Sequence, residues 1–135
     1  MGNKLVVGEM YEYNFSFSQE DVIRFSNATG DYNPIHLDKK YAEKTLFNKP
    51  IIHGFLAGSV FSKVFGTIFP GEGTIYLKQN MSFLKPMFTS QFYTATFEVI
   101  STDIIKNKAV VKTLISDKNE IVLKGEALIK HPNIF

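Results

Sequence analysis

Apolar and polar side chains alternate with one period at the start of this chain, another in the middle and the first again to the end. Tyr11, Tyr13, Phe15 and Phe17 interleave with Glu12, Asn14 and Ser16, the period of two that predicts a half-buried strand. Ser18 is then placed as an N-cap, with Asp21 three residues on as a weaker capping box and Glu20 adding charge near the helix start. Val22, Phe25 and Thr29 share one face at helical spacing, and Gly30 is positioned to end that helix in the left-handed conformation. Asp31 therefore leaves directly from a helix carboxyl end. Asn33-Pro34 marks a turn, since Pro34 pushes Asn33 out of the α region. Asp38 caps a short helix through Lys44, with Tyr41 and Ala42 expected to face inward, and Phe47 to Ile52 is a connector containing Pro50.

A long helix is predicted from His53 to about Phe69, spanning about 25 Å at the usual rise. Phe55, Leu56, Ala57, Val60, Phe61, Val64, Phe65 and Ile68 make it apolar on nearly every face, the pattern of a buried helix. Pro70-Gly71 stops it. From Gly73 the period returns to two: Ile75, Leu77, Met81 and Phe83 alternate with Lys78, Asn80 and Ser82, until Pro86. Further strands are predicted over 92–101, 109–115 and 121–129, with Asp117-Lys118-Asn119 as a hairpin turn. One strand, helical elements, then four strands make an α+β domain in which one helix is buried against a curved antiparallel sheet. That order is what a hotdog fold requires, and such a sheet, with an exposed edge, is expected to pair into a dimer.

Composition narrows the function. The 135 residues are one domain in length, residues 1–135, and 44% of them are hydrophobic, enough for a real core. The absence of cysteine removes disulfides, zinc–thiolate sites and thiol catalysis, and fits a reducing compartment such as the cytoplasm. A net charge of +2, with Arg24 the only arginine, argues against nucleic-acid recognition. The run from Ile51 to Phe69 carries Gly, Ser, His53 and Lys63, so it reads as a buried helix rather than a membrane span. No targeting segment is read at the amino terminus.

The candidate chemistry lies in Gly30-Asp31-Tyr32-Asn33-Pro34-Ile35-His36 and in His53-Gly54. A carboxylate and an imidazole converging on one water can activate it without a metal. Taken alone, the loop pattern favours a structural reading, with Asp31 ending a helix and His36 satisfied in a loop. Gly54 at the start of the long helix offers free N–H groups and the positive helix end to a developing oxyanion, and lets a substrate approach the backbone. Packing or capping is favoured over catalysis for His53. His36 and His53 lack the spacing of a metal-ligand pair, so no metal is expected. Ser62, a little over two turns further on, bonds its own helix or touches the loop pair. The phenylalanines of the helix are expected to be core, with Phe65 near a pocket floor.

Phe25-Ser26-x-x-Thr29-Gly30-Asp31-x-Asn33-Pro34-Ile35-His36-x-Asp38, followed by Pro50-Ile51-x-His53-Gly54, resembles the signature of the MaoC-like hydratases, above all the single-hotdog (R)-specific enoyl-CoA hydratases. The similarity runs from about Val7 to His131 and includes Ile75-Tyr76-Leu77-x-Gln79-x-Met81-x-Phe83 and Gly125-Glu126-Ala127. The resemblance implies cofactor-free hydration of a trans-2-enoyl-CoA to an (R)-3-hydroxyacyl-CoA by a homodimer. It places the catalytic pair on Asp31 and His36, a loop brace on Asn33, the thioester-binding N–H on Gly54 and a supporting serine on Ser62. It places the acyl-length position on Phe65, where the family commonly has a smaller aliphatic residue, so short acyl chains are expected. The rivals are an acyl-carrier-protein-linked 3-hydroxyacyl dehydratase, a hotdog thioesterase and a non-catalytic acyl-CoA-binding protein.

Overall fold

The computed structural model describes residues 4–118 and 120–133. Its elements run β1 (Met10–Phe15), α1 (Gln19–Thr29), α2 (Pro34–Leu37), α3 (Lys39–Glu43), α4 (Gly54–Thr67), β2 (Ile75–Phe83), β3 (Tyr93–Asp103), β4 (Lys108–Asp117) and β5 (Glu120–Lys130). The five strands form one antiparallel sheet in the order β1-β3-β4-β5-β2. β1 and β2 are thus opposite edges. The segment joining them must cross the sheet, and it does so as the helices. α4 lies across the sheet with Phe61 edge-on to Phe97 at 5.7 Å and Phe65 edge-on to Phe97 at 5.3 Å between ring centres. This is the predicted α+β hotdog arrangement, a helix wrapped by a sheet.

The core forms where period-two and helical apolar faces meet. Val64, Phe61 and Phe65 of α4 are buried against Ala95, Phe97, Val99, Val111, Ile115, Ala127 and Ile129 of the sheet. The first helix is capped as its sequence requires. Ser18 Oγ accepts from the Asp21 N–H at 3.1 Å while the Asp21 carboxylate accepts from the Ser18 N–H at 2.9 Å. Gly30 ends it at φ 80°, a left-handed conformation that glycine adopts freely.

Several expectations are corrected. β1 stops at Phe15, and Phe17 packs on the core from beyond the strand, its carbonyl accepting from Ser90 N–H. On α1 the buried positions are Val22 and Ser26, while Thr29 is exposed at the last turn, where its hydroxyl donates to the Phe25 carbonyl. An extra turn of helix, α2, follows Asn33, which caps it by accepting from Ile35 N–H, with Pro34 in its first turn. In α3 Ala42 is buried but Tyr41 is not. α4 ends at Thr67, shorter than predicted at about 21 Å. It is not buried on all sides, since Phe55 is 71% exposed. In β2 a register shift between Tyr76 and Lys78 breaks the alternation. Tyr76 turns inward onto Phe65, and Ile75, Leu77 and Phe83 are left exposed instead of sharing a face with Met81. The predicted turn at Asp117-Lys118-Asn119 lies between β4 and β5, but Asn119 is outside the described residues.

Candidate active site

The end of α1, the one-turn helix α2 and the start of α4 meet at one point because backbone bonds tie them there. The Ile51 N–H donates to the Ile35 carbonyl at 3.2 Å, and the Ile52 N–H donates to the Met87 carbonyl at 2.8 Å. The connector before α4 is thereby laced to α2 on one side and to the segment after β2 on the other. Asp31 leaves Gly30 with its N–H donating to Thr29 Oγ1 at 3.2 Å, and its Oδ1 accepts from the Asn33 N–H at 3.3 Å. Asn33 therefore holds the loop at both ends, through its N–H to Asp31 and its side chain to Ile35.

His36 is buried, and its Nδ1 lies 2.8 Å from the Ile51 carbonyl oxygen. A carbonyl only accepts, so Nδ1 carries the proton and Nε2 is left with its lone pair. Gln19 fixes the backbone by donating to the His36 carbonyl at 2.9 Å. The His36 ring stacks on that of His53, with centres 3.9 Å apart. His53 in turn lies against Phe25 at 4.7 Å. Its Nε2 is 3.0 Å from Ser26 Oγ and 3.2 Å from the Asp31 carbonyl. Burial lowers the His53 pKa below the ordinary histidine value, more than the Asp31 carbonyl bond raises it; the neighbouring His36 lowers it further.

One ligand-forming atom each from Asp31, His36 and His53 lies within 4.8 Å of the others. The sequence spacing did not reveal that proximity, because the two imidazoles are 17 positions apart with a connector between them. The donor set does not suit a metal ion. His36 Nδ1 and His53 Nε2 are committed to carbonyls, and stacked rings 28° from parallel do not aim their in-plane lone pairs at a common centre. The arrangement suits proton transfer: one exposed carboxylate beside one imidazole with a free Nε2.

Asp31, His36, His53 and Gly54 line a cavity of about 460 Å³ whose other walls are apolar apart from Lys85, among them Phe47, Ile51, Phe83, Met87 and Leu123. That is the size and character of a small-ligand site. Gly54 is the first residue of α4, and His53 before it makes no side-chain cap bond, which leaves first-turn N–H groups without that partner. A Cβ on Gly54 would come within 2.6 Å of the Phe83 ring, so a larger residue there would push this exposed ring aside. Ser62 is exposed on α4 and does not line the cavity. Phe65 is buried between Tyr76 and Phe97, also away from the cavity wall. Within one chain the structure therefore gathers Asp31, Asn33, His36 and Gly54, but not Ser62 or Phe65. Ser26 was visible only as part of the motif; its burial beneath His53 is a tertiary fact.

This constellation can be set against known proteins. The model of the MaoC-like domain matches residues 6–120. The chain belongs to the MaoC-like family. Among curated MaoC-like relatives, the (R)-specific enoyl-CoA hydratase of Aeromonas caviae is 37% identical over 129 residues, covering 95% of this chain and 96% of the relative. A mitochondrial 3-hydroxyacyl-[acyl-carrier-protein] dehydratase of Arabidopsis thaliana is 31% identical over 134 residues, covering 96% and 80%. Among solved MaoC-like structures, the (R)-hydratase from A. caviae involved in PHA biosynthesis superposes with a TM-score of 0.91 over 95% of this chain and 98% of that one, at 37% identity. The R-hydratase PhaJ1 from Pseudomonas aeruginosa, unliganded, gives 0.89 over 95% and 83%, at 36% identity.

Proposed function

We propose that this MaoC-like protein is a lyase that adds water to a short-chain trans-2-enoyl-CoA, giving the (R)-3-hydroxyacyl-CoA, and runs the reverse reaction. The observation that carries the reading is the His36 Nε2, left free by the Nδ1 bond to the Ile51 carbonyl, near the Asp31 carboxylate on the wall of a largely apolar cavity that also includes Gly54 at the first turn of α4. Asp31 and His36 hold the water. Its oxygen bonds to C3, one of its protons is taken up by the pair, and a proton is delivered to C2 as the double bond is lost. Negative charge grows on the thioester oxygen meanwhile. The Gly54 N–H and the positive end of α4 stabilise it more in the transition state than in the substrate. Asn33 keeps Asp31 in place. No cofactor is called for. The (R) configuration is carried over from the relatives.

Phe65 fills the space between α4 and the sheet that lies beyond the cavity, and on this reading its bulk keeps the acyl pocket shallow. The protein acts as a homodimer joined along β2, in the cytoplasm. In that dimer the outward Ser62 lies on the helix face nearest the second chain, where it supports the site. No helix among the described residues is long and apolar enough to cross a membrane. A second reading, action on acyl-carrier-protein thioesters, draws support from the Arabidopsis relative. It shares every site residue.

The test is loss of the enoyl-thioester absorbance on crotonyl-CoA and longer homologues, with chiral analysis of the product and the same acyl groups on acyl carrier protein. Asp31→Asn is expected to keep fold and assembly and to lose about a hundredfold or more in kcat, the scale of general acid–base catalysis. Near-normal turnover by that variant would remove Asp31 from its role.

A further inference from the structure

Among the described residues every buried side-chain nitrogen or oxygen has a hydrogen-bond partner except one, Nδ1 of His53. The residue is 2% exposed, so bulk solvent does not reach it. Because the Asp31 carbonyl can only accept, Nε2 carries the ring proton, and Nδ1 is a bare lone pair. An unpaired buried acceptor is destabilising, because it gives up its hydration with nothing in exchange. A phenylalanine would occupy the same space, between Phe25 and His36, without that cost. What the imidazole adds lies on its Nε2 side and on its face. On the Nε2 side it shares a proton between Ser26 Oγ, on α1, and the backbone of Asp31. Its face is stacked on His36. Both residues assigned to the water, Asp31 through its backbone carbonyl and His36 through its ring, are thus in direct contact with this one ring.

We propose that His53 is a positioning residue for the hydration reaction. Its Nε2–H pins the Asp31 backbone to α1 through Ser26, while its ring face backs His36, so that the carboxylate and the free imidazole nitrogen close on one water. The proposal rests on the hydratase reading above. His53 is part of the cavity wall, and its assigned role is exerted through its two neighbours. Its unpaired nitrogen is the stability given up for that placement, as expected where a side chain is kept for function rather than packing.

The test compares wild type, His53→Gln and the double variant Ser26→Ala, His53→Phe on crotonyl-CoA, with melting temperature measured alongside. The double variant removes the unpaired nitrogen and the hydroxyl left behind, so it is expected to melt at or above the wild-type temperature. Its kcat is expected to fall by about tenfold to a hundredfold, the scale of a small misplacement of reacting groups. Its KM is expected to change less than its kcat, since the groups it displaces, Asp31 and His36, hold the water rather than the acyl chain, although His53 is itself part of the cavity wall. His53→Gln restores a donor toward Asp31 and is expected to recover part of kcat. A purely structural histidine predicts the opposite pattern, in which activity follows the amount of folded protein. Unimpaired kcat in the double variant, or a loss matched by unfolding, would overturn the proposal while the wild type still turns over. A wild type inert on every enoyl thioester would overturn the hydratase reading and this proposal together.

Discussion

At the scale of single residues, the burial of His53 has a consequence for stability. In the unfolded chain this imidazole takes up a proton near its ordinary pKa of 6.5, whereas in the folded protein burial holds the pKa below that value. Below 6.5 the unfolded state therefore binds more protons than the native one, and stability falls with falling pH. Above 6.5 neither state is protonated there and the group adds no slope. We expect the melting temperature to be flat in this respect between about pH 8 and pH 7 and to decline from about 6.5 down through the folded pKa. In His53→Phe that part of the decline should vanish. Thermal unfolding followed across this range, wild type against variant, checks it, and an identical pH slope in both would assign the decline to other groups. The stacked His36 adds to the effect of burial, and together they disfavour the charged form of His53.

At the scale of elements, α4 does two jobs from opposite ends. Its first turn meets the cavity at Gly54, and its later turns, through Phe61 and Phe65, form the core on Phe97. Phe65→Ala removes a buried aromatic ring and is expected to cost about 3–5 kcal/mol. If Phe65 limits acyl depth, the void also admits longer chains, so kcat/KM on hexenoyl-CoA and octenoyl-CoA should rise relative to crotonyl-CoA. A destabilised variant with an unchanged chain-length profile would make Phe65 core alone. The helix termini show how local chemistry sets the site. Ser18 and Asp21 begin α1, Gly30 ends it, Asn33 begins α2 and Asp38 begins α3, so Asp31 and His36 are held by caps on either side.

At the scale of the whole molecule, the sheet has two edges, β1 and β2. The β2 edge carries exposed Ile75, Leu77 and Phe83, beside the exposed Phe55 of α4, whose ring meets Phe83 edge-on at 6.4 Å. An apolar edge strand invites pairing, and a charge on it opposes pairing. Leu77→Lys is expected to shift the proposed dimer toward monomer in size-exclusion chromatography with light scattering, while leaving the single-chain fold folded by circular dichroism. Activity should fall with the dimer, because Ser62 and the exposed helix face would lose their cover. A wild type that elutes as a monomer at all concentrations would exclude β2 as an interface.

How much was legible beforehand follows from the range of the forces involved. Caps, turns and strand period depend on residues within a few positions of one another, and these were readable: Ser18, Gly30, Asp38, the start of α4 and four of the five strands fall close to where the pattern puts them. The bulge at Leu77, the inward turn of Tyr76 and the exposure of Phe55 were not, because they depend on the partner strand and on what covers a helix face. The site divides along the same line. Sequence alone determined that a carboxylate, an imidazole and a glycine-led helix start belong to one motif. Tertiary structure decided that His53 lies against both Asp31 and His36 with one nitrogen unpaired, and that Ser62 and Phe65 stay outside the cavity of the single chain. Local hydrogen bonds are written in neighbouring residues; stacking and burial between distant segments exist only once the chain has crossed its own sheet.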